Sequence, residues 1–151
     1  MDFHELYERY ARDIGRYAFY LSGNRADAED IVAETFSRVW LAAGEIRAAT
    51  VKGYLTAIAR NYFLETRRKR KRETAMPARE PGAAPLPEIE EALDAIGRLP
   101  ELERETILMR AAAGLSYDEI AEAFRISPAA ARVRVHRARQ LLNQLLEREN
   151  V

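Results

Sequence analysis

Apolar residues recur at spacings of three and four along most of the chain, a period that indicates amphipathic helices. In the first half of the chain the pattern predicts helices over residues 3–21, 26–42 and 51–72. In the second half it predicts helices over residues 88–99, 101–113, 117–124 and 128–148. Every predicted element is helical, so the predicted fold class is all-α.

A proline-rich segment separates the two helical halves. Residues 74–87 read TAMPAREPGAAPLP and hold four prolines and one glycine. Proline lacks a backbone donor and fixes φ, so an ordinary helix is not expected there. The sequence therefore predicts a three-helix module over 1–73, a linker over 74–87 and a four-helix module over 88–151.

The end of the chain has the pattern of a helix-turn-helix. Ser116-Tyr117-Asp118-Glu119 has the form of a capping box, and a three-residue turn, Arg125-Ile126-Ser127, precedes Pro128, which suits the first position of a helix. At about 100° per residue, one face of the last helix is apolar. The face turned away from it carries cationic and polar side chains that suit base edges and phosphates. The ordinary alternative is a solvated helix face.

The third predicted helix ends in the basic run 67–72 and also carries Tyr54, Asn61, Tyr62 and Phe63. Aromatic rings beside cations suit the stacking of single-stranded bases. The alternative is that these rings belong to the core, Tyr62 above all.

The net charge of zero conceals an alternation along the chain. Counting acidic and basic side chains gives −3, +6, −4 and +1 for residues 1–50, 51–80, 81–110 and 111–151. The basic segments could meet a polyanion, and the acidic first segment a basic protein surface. The acidic patch on the second predicted helix suits helix capping and a protein interface better than a metal, since no histidine lies at a matching position.

Several classes of function are not expected. The chain has no cysteine, no Ser/His/Asp set and no glycine-rich phosphate loop, so we expect no catalytic site, metal or cofactor. There is no apolar signal-peptide segment at the N-terminus and no run of about 18 apolar residues, so we expect no membrane insertion.

Four blocks of the chain resemble, in order, segments of the extracytoplasmic-function (group IV) sigma factors of bacterial RNA polymerase. Residues 27–36 with Val39-Trp40 are similar to region 2.2, and residues 51–61 with Arg67-Arg68 to regions 2.3 and 2.4. Residues 99–105 are similar to the start of region 4, and residues 115–121 and 136–139 to region 4.2.

The resemblance implies a cytoplasmic, non-catalytic initiation subunit. Its first module would dock on the clamp of core RNA polymerase and open the −10 element of promoter DNA. Its second module would read the −35 element as duplex beside the flap, and an anti-sigma factor would regulate it. The implied polymerase contacts are Asp27, Asp30, Glu34, Phe36 and Trp40. The implied −10 contacts are Lys52, Tyr54, Arg60, Asn61, Arg67 and Arg68. The implied −35 contacts are Ser127, Arg132, Val133, Arg134, His136 and Arg137.

Some positions depart from the usual residues of that family. The departures are Ala33, Tyr54, Glu65, Arg125, Ala130 and Val133. Arg125 takes a turn position often held by glycine, which indicates strain in the turn. Ala130 and Val133 stand where Thr and Ser are usual, so one phosphate contact and one base-edge contact would be lost. Two rival functions are a stand-alone helix-turn-helix regulator that binds its operator without polymerase, and a helical scaffold that binds polymerase or an anti-sigma protein without initiating.

Overall fold

The computed structural model describes residues 2–42, 50–72 and 86–149. The chain forms two compact units, an N-terminal unit (Met1–Ala83) and a C-terminal unit (Ala84–Val151). All regular structure in the described ranges is helical, which confirms the all-α fold class. The predicted linker, residues 74–87, lies outside the described residues except for its last two positions. Among the described helices, none is long and apolar enough to cross a membrane.

The N-terminal unit holds three helices, α1 (Phe3–Ser22), α2 (Arg25–Ala42) and α3 (Val51–Arg72). Asp2 begins α1 because its carboxylate accepts the backbone N–H of Glu5 at 2.9 Å. Gly23 ends α1 in the left-handed region with φ 71°, a conformation that glycine adopts without a Cβ penalty. The side chain of Asn24 then accepts the N–H of Asp27 at 3.0 Å and begins α2.

The three helices of this unit pack against one another around one apolar core. Its buried members from α1 and α2 are Leu6, Ile14, Tyr17, Ala18, Ala28, Ile31, Thr35 and Phe36, and those from α3 are Leu55, Thr56 and Ala59. The hydroxyls of Thr35 and Thr56 donate to the carbonyls of Ile31 and Lys52, so burial leaves neither of them unsatisfied. Burial of this apolar face fixes which sides of α2 and α3 reach the surface.

The C-terminal unit holds α4 (Pro87–Arg98), α5 (Glu101–Ile107), a π-helical segment (Leu108–Ala112), α6 (Tyr117–Phe124) and α7 (Pro128–Glu149). The long α7 packs against α4, α5 and α6 and so organises the unit. The buried core contains Ala95, Leu99, Thr106, Ile107, Leu108, Met109, Ala112, Ala113, Leu115, Ile120, Ala121, Ala131, Val135 and Ala138.

The prediction of one ordinary helix over 101–113 was wrong in its second half. Residues 108–112 form a π-helical turn, and the N–H of Ala113 donates to the carbonyl of Leu108 at 3.0 Å. Four successive residues, 106–109, are buried, more than a single face of an α-helix provides. The segment is therefore enclosed on more than one side before Gly114, with φ 73°, ends it.

Candidate nucleic-acid interfaces

Three local features shape the helix-turn-helix of α6 and α7. The N–H of Glu119 donates to Ser116 Oγ at 3.1 Å and the N–H of Ser116 donates to Glu119 Oε1 at 2.9 Å, so the predicted capping box is confirmed. Arg125 ends α6 with φ 56° and ψ 49°, the left-handed conformation. Ser127 Oγ accepts the N–H of Ala130 at 3.1 Å and begins α7. The predicted helix-turn-helix geometry is therefore present.

The two faces of α7 differ as the spacing predicts. Ala131, Val135 and Ala138 are buried against the unit. The exposed residues of the first three turns include Arg132, Val133, His136 and Arg137, and the cap residue Ser127 is exposed as well. Arg134 is half-buried at the border, where its guanidinium lies 5.4 Å from the ring centroid of Phe124. All six residues that the resemblance assigns to the −35 region thus lie on or beside one surface of α7.

A stack of two guanidinium groups on one ring joins the elements of the helix-turn-helix. The guanidinium of Arg110 lies 4.4 Å from the ring centroid of Tyr117, and that of Arg132 lies 5.1 Å from the same centroid. Arg110 Nη1 also donates to the carbonyl of Leu115 at 2.8 Å, which ties it to the loop before α6. Tyr117 therefore orients Arg132, a residue of the candidate reading surface.

A cleft of about 620 Å³ opens beside this stack, between the first turns of α6 and α7. Its lining residues are Ser116, Tyr117, Asp118, Pro128, Ala129, Arg132 and Val133. The wall from α6 is polar and acidic, whereas the wall from α7 combines three apolar side chains with the cation of Arg132.

The outer face of α3 carries a stripe of candidate nucleic-acid residues. Tyr54, Asn61 and Arg68 follow one another at intervals of seven, which is close to two full helical turns, so they share one side of α3. Asn61 and Arg68 are exposed, and Tyr54 is half-buried. Arg67, also exposed, and Arg60, half-buried, lie on one flank of this stripe.

Lys52 differs from the other residues that the resemblance assigns to the −10 region. Its Nζ lies 3.0 Å from Asp13 Oδ2 of α1, and Asp13 also accepts from Arg16 at 2.7 Å. About three quarters of each of the Lys52 and Asp13 side chains is covered. The ammonium of Lys52 is thus engaged within the unit, and only its remaining donors are left for any further contact.

The acidic patch of α2 is paired with α3. Arg70 donates to both carboxylate oxygens of Asp27, at 3.1 and 2.9 Å. The hydroxyl of Tyr62 donates to Asp30 Oδ2 at 2.6 Å, and this bond, with partial burial, raises the pKa of Tyr62 to about 12. Bonding to Asp27 likewise raises the pKa of Arg70. Tyr62 is half-buried with its hydroxyl engaged at the surface, so it is not the core residue that the sequence favoured.

A second network lies one turn further along α2. Arg38 donates from Nε to Glu34 at 3.1 Å and from Nη2 to Glu65 at 2.9 Å. These bonds raise the pKa of Arg38, with the bond to Glu65 contributing most, and they lower the pKa of the Glu65 carboxyl. The Arg38 guanidinium also lies 5.2 Å from the ring centroid of Tyr62. All three acidic residues assigned to polymerase therefore already have partners within the unit.

The two aromatic residues assigned to polymerase occupy different environments. Phe36 is 3% exposed and contacts Tyr7 edge to face, with ring centroids 4.9 Å apart. The side chain of Phe36 thus belongs to the core beneath that face, and its contact with polymerase stays a prediction. Trp40 is 63% exposed and makes one edge-to-face contact with Phe3 at 4.9 Å.

Sequence reasoning missed several residues that shape these surfaces. Arg70 was seen only as one cation of the basic run, and Arg38, Arg110 and Tyr117 were not assigned any role. Each acts through a partner on another element, which periodicity along one helix does not reveal. Within residues 2–42, 50–72 and 86–149, no cluster of His, Asp and Glu could hold a metal ion.

Comparison with known proteins identifies the family. The Sigma-70 region 2 family matches residues 6–73, and the Sigma-70 region 4 family matches residues 89–142. The ECF RNA polymerase sigma factor SigE of Mycolicibacterium smegmatis is 35% identical over 97% of this chain, which spans 62% of SigE. The ECF RNA polymerase sigma factor SigM of Bacillus subtilis is 30% identical over 98% of this chain and 97% of SigM.

A solved structure of similar fold extends the match to three dimensions. The sigma factor RpoE from Bartonella quintana, solved in complex with the anti-sigma factor NepR, superposes with a TM-score of 0.78 at 27% identity and covers 97% of each chain. A stand-alone helix-turn-helix regulator does not account for a region 2 unit ahead of region 4. The chain therefore belongs to the extracytoplasmic-function sigma factors of the sigma-70 family.

Proposed function

We propose that this chain directs core RNA polymerase to promoters by contacting their −10 and −35 elements, and that it has no catalytic activity of its own. The observation that carries the proposal is the presence, in one chain and in this order, of a region 2 unit and a region 4 unit. The chain would act on promoter DNA in the cytoplasm. The linker over 74–87 would join the two units on the enzyme.

The −35 element would be read as duplex by α7. Arg137 and His136 lie on its exposed face, and both can donate to base edges in the major groove. Arg132 is oriented by Tyr117 and suits a phosphate or a guanine edge. Ser127 uses its oxygen as a cap and still has a hydroxyl proton to donate to the DNA backbone.

The −10 element would be held by α3 after strand opening. The stripe of Tyr54, Asn61 and Arg68 offers a ring for base stacking, an amide for base edges and a cation for phosphate. Arg67 adds a second exposed cation, and Arg60 lies on the same flank. Lys52 would act indirectly, by fixing the start of α3 to α1 through Asp13.

Core polymerase would meet α2. Trp40 offers an exposed apolar side chain at the end of this helix, and aromatic residues are enriched in protein interfaces. Asp27, Asp30 and Glu34 would add negative charge, although each is shared with a partner in the unit. Because RpoE of Bartonella quintana was solved with an anti-sigma factor, we propose a comparable protein regulator for this chain.

Run-off transcription with a bacterial core polymerase tests the proposal. Start sites that appear only when the chain is added would support it, and binding to polymerase without any promoter-dependent transcript would favour a scaffold instead. Arg137→Ala should cost about 1–3 kcal/mol of discrimination between the −35 element and its point variants if Arg137 reads a base edge. Arg148→Ala, an exposed change near the end of α7, is the matched control. An equal loss on every sequence would make Arg137 a phosphate anchor.

A further inference from the structure

The outward face of α7 begins with apolar side chains. Pro128, Ala129 and Val133 are exposed, and Val133 retains 48% of its accessible surface. Ala129 and Val133 are one helical turn apart and line the same side of the cleft beside α6. A single exposed valine on a protein surface needs no explanation. Here, however, the apolar surface occupies the first two turns of the reading helix, which in helix-turn-helix proteins approach the bases most closely.

The major groove offers one apolar group, the C5-methyl of thymine. The side chains of Ala129 and Val133 carry no donor or acceptor, so they cannot read a polar base edge. Two charged side chains also line the cleft, the carboxylate of Asp118 on the opposite wall and the guanidinium of Arg132, which lies 5.1 Å from the ring centroid of Tyr117. Arg132 can serve a phosphate or a guanine edge, whereas the apolar surface of Ala129 and Val133 matches a base methyl group better than the sugar-phosphate backbone.

We propose that Ala129 and Val133 form a binding site for the C5-methyl group of one thymine, and that Val133 selects thymine at that position. This inference rests on the proposed reading of the −35 element by α7. Val133 and Arg137 are one turn apart, about 6 Å along the axis, whereas successive bases of one strand are about 3.4 Å apart. The selected thymine thus lies within about two base steps of the group that Arg137 contacts.

Deoxyuridine tests this directly, because it pairs as thymidine does and lacks only the methyl group. Duplexes bound by the full chain with core polymerase are first selected from a randomised −35 region. Each thymine of the selected element is then replaced singly by deoxyuridine, and affinity is measured by competition. We expect one replacement to weaken binding about fourfold, the factor that burial of one methyl-sized group supplies.

Two variants assign the effect to Val133. In Val133→Ser the ratio of the affinity for the thymine duplex to the affinity for the deoxyuridine duplex should fall to about one, because the side chain has lost its methyl groups. Val133→Ile keeps them and should retain the ratio, as should Arg148→Ala. The inference would be overturned if the selected elements contained no thymine, or if no deoxyuridine replacement changed the affinity. It would also be overturned if Val133→Ser kept the same preference for thymine over uracil. A chain that starts no promoter-dependent transcript would instead refute the proposed function.

Discussion

Arg125→Gly is expected to stabilise the C-terminal unit. Arg125 is the one residue other than glycine with positive φ among the described residues. A side chain with a Cβ costs about 1–2 kcal/mol in the left-handed region. Glycine removes this cost but loses about 0.5–1 kcal/mol through its more flexible unfolded state. The hydrogen bond from the N–H of Ile126 to the carbonyl of Ala121, 3.0 Å, is a backbone bond and survives the change. The net gain is about 0–1.5 kcal/mol, with a midpoint near 0.75 kcal/mol.

Hydrogen exchange in the full chain provides the measurement, since it reports on each unit separately. The amides of Ile120 and Val135, both in the buried core of the C-terminal unit, should exchange more slowly in Arg125→Gly by about two- to fivefold. Arg125→Ala is the control, because it removes the long side chain and keeps the Cβ. If the alanine variant gains as much as the glycine variant, backbone strain is not the cause, and the reasoning fails.

Two further predictions follow from the side-chain contacts. Tyr117→Leu should weaken binding of the −35 duplex by about 0.5–1 kcal/mol, because the ring orients Arg132 by cation–π contact. Tyr117→Phe keeps the ring and should not weaken binding. In an Arg132→Ala background the loss caused by Tyr117→Leu should vanish, and its persistence would contradict this role. Asp30→Asn should move the pKa of Tyr62 from about 12 down towards the ordinary value near 10 in a spectrophotometric titration compared with the unchanged chain. Because the pKa of Tyr62 is raised, its hydrogen bond to Asp30 stabilises the fold fully below about pH 10, and this stabilisation is lost as the pH rises through about 12. A titration of Tyr62 that is unchanged in Asp30→Asn would argue against the hydrogen bond.

Local sequence signals predicted most of the fold. The bounds of α3 agree with the prediction at both ends, and those of α6 do so because a capping box fixes its first turn. The left-handed turn at Arg125 was also foreseen, since a glycine usually occupies that position in the family. These features depend on residues a few positions apart, whose influence on the backbone is short-ranged.

What the sequence did not predict depends on contacts between distant residues. The bidentate pair of Asp27 and Arg70 joins residues 43 positions apart, and helical periodicity carries no information about such a partner. The pairing of Lys52 with Asp13 follows from how α1 and α3 pack, which a single helical wheel does not describe.

The pair of Asp27 and Arg70 links the evolution of two surfaces of the N-terminal unit. A substitution at Asp27 that adapts α2 to a protein partner also releases a cation at the end of α3, where nucleic acid is proposed to bind. Drift at either position is thus constrained by the other, and the charge-reversed pair Asp27→Arg with Arg70→Asp should be tolerated better than either change alone. Specialisation for a new enzyme partner and for a new promoter would then proceed by paired substitutions rather than independent ones.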